Sequence, residues 1–562
     1  MVTGNPIIKH IYLCTFCVLF YLCLSANANA QTKVYASSVI SEAHTTDAAK
    51  AHDGNLTTFA VVSASSGVIL GAGAYSGHID LQFATPLPAN TVSYVKINMA
   101  STEILNGLLS GTLNTVLSGI LSGNQEFTVE AKDKDGVAVL TGNSQTSGDF
   151  NTDRMKLLVN DAGEYLVRII PDKEYKSIRV TNRLGALIGL GTVKTINVYE
   201  AYYITDIPVC ATTPVYSSYN GTGSGITVTL LNNGSVGVIN PSYAIDTDNT
   251  NHSTIKMANI SVASSIEQVL YFDRLSFASD RIAVRLSVPQ TIASVLGSVS
   301  VIASNGNTVV QTYTLSSLLA LNILTPQANQ PMTLFMTPGQ PVDRITIRLS
   351  SVVGVTGSIN VYGVSRTLGE PVITQNPAIC QGSTSTVIAT APAGVSINWY
   401  ASSAGGTVLA TTTSGQGIVT PALTATTTYY SRLNYGSCAG PITPVTITVI
   451  NTPSGGTISG EQTVCLTRSP IAFTSITHDS GSDITYKWES SLNQTDWAEI
   501  ATSNSPVYQP PILTQDTFYR RVSSRTLGGI QCLQYSNVIK VTTKNCMVIS
   551  NPMVRQRIKS GA

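Results

Sequence analysis

The sequence predicts an all-β protein built of tandem β-sandwiches, and three observations carry that prediction. Apolar residues alternate with a period of two in runs of strand length, separated by Gly, Ser and Asn; Ile79-Asp80-Leu81-Gln82-Phe83, Tyr94-Val95-Lys96-Ile97 and Phe127-Thr128-Val129-Glu130-Ala131 are examples. Charge is scarce, at 11% of residues against about 25% in ordinary soluble domains; Ser, Thr, Val, Ile and Tyr take its place, as in strands with hydroxyl-bearing outer faces. A pattern also recurs: Ala51-His52-Asp53-Gly54-Asn55-Leu56-Thr57-Thr58-Phe59 is echoed by Ala244-Ile245-Asp246-Thr247-Asp248-Asn249, running on to Ser253-Thr254-Ile255. Each unit closes on Ile-Asn-Val-Tyr plus one variable residue, Glu200 in the first and Gly363 in the second, as expected of duplicated modules.

In chain order, residues 1–30 read as an export signal, with Lys9 as the positive end, an apolar run from Ile11 to Ser25 and the small-x-small site Ala28-Asn29-Ala30. The run is too short for a good membrane span, and Leu22 before Cys23 argues against lipidation. Residues 31–205 form the first repeat and 206–368 the second, with 207–214 as the linker between them. Ser177-Ile178-Arg179-Val180 corresponds to Arg344-Ile345-Thr346-Ile347. The leucine-rich pieces Ile104 to Leu121 and Leu315 to Leu324 are the places for short helices, folded over the sheet. Residues 369–450 and 451–545 are two smaller modules marked off by Gly455-Gly456 and by Pro371, Pro377 and Pro453. Residues 546–562 form a basic tail with Arg555, Arg557 and Lys559.

Removing the signal leaves 31 basic and 31 acidic side chains, a balance without the electrostatic footprint that nucleic-acid binding needs. No later stretch reads as a transmembrane segment. Three of the nine cysteines leave with the signal; Cys210, Cys380, Cys438, Cys465, Cys532 and Cys546 remain, and export permits disulfides. Catalytic patterns are missing. His44, His52, His78, His252 and His478 fall in no metal spacing, and Gly221-Thr222-Gly223-Ser224-Gly225 has its serine misplaced for a nucleophile elbow. His52 beside Asp53 reads as a loop histidine next to a turn aspartate. The chain is therefore expected not to be an enzyme.

The repeated loop, Ala51, Asp53, Gly54, Asn55 and Thr58 in its better copy, together with the Val-Tyr-Gly-type last strand, resembles discoidin-like (coagulation factor 5/8 C-type) galactose-binding modules. That resemblance implies jelly-roll β-sandwiches with a calcium loop. Asp53, Asn55 and Thr58 would be its ligands, with calcium the one candidate ion and no other cofactor expected. The acidic ligand of the family's last strand is missing at the aligned positions, Thr195 and Ser358. Without an ion, Asp53 would cap its own loop as an Asx-turn. Phe59 and Ile255, standing where the family's loop often has Trp, read as core; Tyr75, His78 and Tyr243 are loop residues with nothing to single them out.

Residues 369–450 are similar to the short Ig-like domains of large Bacteroidota surface proteins, gliding- and adhesin-associated ones among them. The residues concerned are Ile379-Cys380-Gln381-Gly382, Ile397-Asn398-Trp399-Tyr400, Thr426-Thr427-Thr428-Tyr429-Tyr430 and Gly436-Ser437-Cys438. Residues 451–545 repeat the plan more loosely, with Cys465, Trp488, Tyr519 and Cys532. The resemblance implies two Ig-like sandwiches with Trp399, Trp488, Tyr429 or Tyr430, and Tyr519 in their cores. One bridge per module is expected, Cys380–Cys438 and Cys465–Cys532, each worth roughly 4 kcal/mol in the chain-entropy treatment. Cys210 and Cys546 are left unpaired. The function expected is that of an exported, non-catalytic protein, extracellular or on the outer cell surface, with the periplasm as the alternative. It would bind a glycan or a surface protein, the Ig-like pair acting as spacer. The rival expectation is a secreted carbohydrate-binding accessory for polysaccharide use.

Overall fold

The structure, a computed structural model, describes residues 32–546 apart from 69–71, 101–102, 110–123, 147, 186–190, 207–211, 223–235, 247, 258–263, 290–296, 323, 325–326, 351–356 and 376–377. The signal, Cys210, the serine of the 221–225 turn and the tail after Cys546 lie outside the described residues. Among the described residues the regular secondary structure is nearly all strand, as expected. Two helices are described, Glu103–Leu109 and Leu315–Asn322, both in the leucine-rich pieces. Leu105, Leu108 and Leu109 of one, and Leu315, Leu318 and Leu319 of the other, are buried in the sandwich core. No described helix is long and apolar enough to cross a membrane. The chain divides into two compact units, residues 1–369 with 435–440, and 370–434 with 441–562.

The first unit is a duplication. In the first repeat, Tyr175–Gly185 is the centre of a five-stranded sheet, flanked by Gly77–Leu87 and Asn124–Lys132. In the second, Arg344–Ser350 sits likewise between Ser265–Tyr271 and Val299–Asn305. The opposing sheets centre on the shared closing strands, Val193–Asp206 and Gly357–Thr367. Alternation explains the cores. Ile178 and Val180 point inward, while Arg179 points out to Asp80 at 3.2 Å. Ile345 and Ile347 repeat the inward pair. Each buried side chain of this size contributes about 1.5–3 kcal/mol.

The repeats are not separate beads. The sheet carrying Val193–Asp206 runs on into the second repeat, because Met155–Val159 meets Tyr216–Thr222 at the pair Ser217↔Val159, making one sheet of twelve strands. Tyrosines seal the seam. The Tyr94 ring lies 5.4 Å from Tyr202 and 4.9 Å from Tyr216, and the Tyr202 and Tyr216 hydroxyls are 3.3 Å apart. Arg344 crosses the seam to Asp153 at 2.5 Å.

In the second unit, Trp399, Trp488, Tyr429 and Tyr519 are buried as expected. Trp399 donates its indole N–H to Thr412 Oγ1 (3.0 Å) and Trp488 to the Ser505 carbonyl (2.9 Å). Arg521, fully buried, is a further core residue. Its guanidinium donates to Ser475 Oγ and to the carbonyls of Pro506, Gly455 and Thr477, all within 3.0 Å.

The expected bridges are corrected. Cys380 pairs with Cys532, not Cys438, and Cys465 pairs with Cys546, not Cys532; Cys438 is disulfide-bonded as well. The reason is strand register. Gln462–Cys465 pairs in parallel with Ile539–Lys544, setting Cys465 opposite Lys544 and within reach of Cys546 two residues later. Cys532 sits in the hairpin strand Ile530–Tyr535, and the short strand Ile379–Cys380 of the preceding module packs against that hairpin. One bridge therefore staples the two smaller modules to each other. Closing separations of 152 and 81 residues is worth on the order of 5 kcal/mol each in the chain-entropy treatment.

Candidate functional site

The first repeat's loop follows a turn of 3-10 helix, Ala48–Ala51, and ends where Ala60–Ser65 begins. Its oxygens converge. Asp53 Oδ1 accepts the Asn55 N–H (2.9 Å), and Asn55 Oδ1 accepts from the Thr57 N–H (3.0 Å) and hydroxyl (2.7 Å). The Thr58 hydroxyl lies 3.0 and 2.8 Å from the two Asp53 carboxylate oxygens, 3.0 Å from the Asn55 carbonyl and 3.4 Å from the Lys50 carbonyl. A hydroxyl has one proton. It can satisfy only one of these four acceptors at a time, so the pocket is rich in oxygen lone pairs.

A second carboxylate completes the cluster, and it corrects the expectation that none is present. Thr195 lies too early on the closing strand, paired with Ser63 inside the sheet. The acid is Glu200. A register shift between Val198 and Ala201 breaks the regular pairing at this position. Glu200 Oε1 accepts the Gly54 N–H at 2.6 Å, the Asn55 N–H and the Asp53 carboxyl also act on the group, and Oε2, buried, has no hydrogen bond of good geometry among the described residues. Gly54 holds φ +78°, which a glycine takes without strain. Burial pushes the Glu200 carboxyl up to about 7; the Gly54 N–H partly opposes this, and the neighbouring Asp53 carboxylate adds to it. Two carboxylates, loop carbonyls and a hydroxyl fit a hard cation such as calcium, and the buried Glu200 Oε2 is the atom that most needs one. Lacking nitrogen and sulfur donors, the cluster does not suit zinc.

The second copy keeps the turn and loses the cage. Asp246 Oδ1 accepts the Asp248 N–H, and Asp248 Oδ1 accepts from the Thr250 N–H and hydroxyl, as in the first loop. At the place of Thr58 stands Asn251, whose amide donates to Asp246 Oδ2 at 2.7 Å. A fixed donor thus occupies the space where a cation would sit. Gly363 replaces Glu200, and beside it a cavity of about 150 Å³ opens, bordered by Asp246, Asn249, Arg285, Thr333 and Tyr362.

Among the other loop residues, Tyr75 stacks on His44 (3.9 Å) and His78 Nε2 meets Ser41 Oγ (2.9 Å), so these side chains have partners within the fold. Ile255 is core, and Phe59, half-buried, packs on Tyr199. Tyr243 is exposed. The place of Glu200 beside this loop is not read from the sequence. The signal was there in the one variable residue after the shared Ile-Asn-Val-Tyr, glutamate in one copy and glycine in the other.

Residues 369–450 match the family described as Ig-like domain, CHU_C associated, and residues 454–545 match a domain of unknown function. No curated protein matches the chain in sequence. Solved structures similar to it include murine CEACAM1b (14% identity, 31% of this chain and 100% of that chain, TM-score 0.20). Drosophila OTK extracellular domains 3–5 (8%, 50% and 92%, 0.21) and chicken CNTN1 FN1–FN3 domains (11%, 52% and 97%, 0.20) are others.

Proposed function

We propose that this is an exported, non-catalytic, modular binding protein of the adhesion type. Its paired N-terminal sandwiches carry the ligand surfaces, and the Ig-like part acts as a stapled spacer. The single observation behind this proposal is the build. Duplicated sandwiches fused through one sheet are followed in the chain by a pair of modules joined by Cys380–Cys532, one of which matches an Ig-like family. Disulfides of this kind persist in oxidising compartments, which supports export. Within this reading the Asp53–Glu200 cluster is a structural calcium site that stiffens the loops of the first repeat, while the second loop is closed by its own Asn251. A glycan and cell-surface protein array probed with the mature chain, with and without calcium, tests the proposal. Specific capture by residues 31–368 is expected. Hydrolysis of a spotted glycan, or no binding to either class, would overturn it.

A further inference from the structure

The two repeats hold a cation over the same tyrosine, and among the described residues only the first of them is also hydrogen-bonded and ion-paired. Ile97 pairs with Val198 and Leu286 with Val361, so Lys96 and Arg285 occupy the same register position. Lys96 Nζ lies 4.2 Å from the Tyr199 ring centre, and the Arg285 guanidinium 5.5 Å from that of Tyr362. In the first repeat the cation is fully engaged. Lys96 donates to the Leu56 carbonyl and to Glu164 Oε1, both at 2.6 Å.

In the second repeat the acid that pairs with the lysine, Glu164, has no counterpart. Lys96 pairs across to Leu166 and Arg285 to Thr333; two residues before these stand Glu164 and Pro331 respectively. Glu200 is replaced by Gly363. Among the described residues the Arg285 guanidinium makes no hydrogen bond and no ion pair, and it borders the cavity that the missing side chains leave. A half-buried guanidinium, with its planar fork of donors, is matched to a carboxylate.

The rest of the cavity narrows the class. Asp246 lies on the border and repels a second negative charge, but its carboxylate accepts hydroxyl protons. Asn249 and Thr333 add donors and acceptors, and Tyr362, whose ring packs on His252 at 5.1 Å and lies under Arg285, completes the border. One carboxylate surrounded by hydroxyls satisfies this set. A phosphate, or peptide carboxylates on adjacent residues, would bring a second negative charge against Asp246, whereas a hexuronate brings one carboxylate per ring.

We propose that the cavity of the second repeat binds a hexuronate unit of an acidic polysaccharide, its carboxylate on Arg285 and its hydroxyls on Asp246, Asn249 and Thr333. This rests on the ligand-binding reading above and names the ligand class for one of its surfaces.

The test is titration of the full mature chain with galacturonate and glucuronate oligosaccharides, with the same oligosaccharides after reduction of the carboxyl to an alcohol, and with a glutamate-rich peptide. Binding of a uronate oligosaccharide is expected, weakened about 10- to 100-fold by carboxyl reduction or by Arg285→Met, the loss of a charge-assisted pair. Thr333→Glu, which sets a carboxylate across from Arg285, is expected to weaken it likewise without lowering the melting temperature. Equal binding of the reduced oligosaccharide, unchanged binding by Arg285→Met, tighter binding of the peptide, or no binding of any uronate each overturns the assignment. If Arg285→Met leaves glycan or surface-protein capture on the array intact, the binding function stands and this site falls.

Discussion

Glu200→Gln separates a cation cage from a self-capped turn. Without an ion, burial pushes the Glu200 carboxyl from an ordinary 4.5 up to about 7. Between those two values the folded state holds a proton that the unfolded chain has released. The group's contribution to stability therefore falls as pH rises from about 4.5 through 7, by the proton-linkage relation. Glutamine keeps an oxygen for the Gly54 N–H and carries no charge, so Glu200→Gln should flatten that decline and leave ion-free stability at pH 7.5 equal or slightly higher. Calcium reverses the comparison. An ion at about one hundred times its Kd stabilises the wild-type fold by about 2.7 kcal/mol. With an unfolding entropy of about 2.1 cal/mol/K per residue over roughly 340 residues, this raises the melting temperature by about 4 °C. Glu200→Gln should lose most of that rise. Because the ion must displace a proton from Glu200, the wild-type rise should also grow between pH 6 and 8. The assay is thermal unfolding of the mature chain in chelator and in millimolar calcium across that range. A shorter piece ending near residue 205 is unsuitable, since it would bare the tyrosine seam at Tyr94 and Tyr202. A wild-type melting temperature indifferent to calcium, or a Glu200→Gln response equal to wild type, would refute the reasoning.

Further outcomes follow from the same structure. Asp53→Ala should remove the calcium response and cost about 1 kcal/mol without calcium by uncapping the Asn55 N–H. Asp246→Ala should leave the calcium response unchanged, both read by the same melts. Non-reducing peptide mapping should recover Cys380 linked to Cys532 and Cys465 linked to Cys546; a Cys380–Cys438 peptide would contradict the register argument. Arg521→Met should destabilise the second unit, at about 1–3 kcal/mol for each carbonyl left buried and unpaired, measurable by urea unfolding followed through Trp488 fluorescence. Trp399→Ala should cost about 3–5 kcal/mol by opening a core cavity, read the same way.

What the sequence by itself determined is local. Period-two alternation named the strands, because side-chain direction in a strand depends only on parity; Ile178 and Val180 face inward wherever the strand is placed. The leucine-rich pieces were legible as helices and Trp399 and Trp488 as core for the same kind of reason. The Asx-turn at Asp53 also lies within a few residues of chain and was legible there; the structure adds its copy at Asp246. Tertiary structure alone decided what depends on which strands become neighbours. Glu200 reaches Gly54 across 146 residues of sequence, through a bulge that no spacing announces. Cys532 was paired by sequence with the cysteine of its own module; the neighbouring module's packing gave it Cys380, because a disulfide forms between the thiols brought closest in space. The free Arg285 is the clearest case. An arginine in a strand reads as an outward-facing charge, and only the shared strand register of the two repeats shows that the acid which pairs with its counterpart, Glu164, has no equivalent beside it.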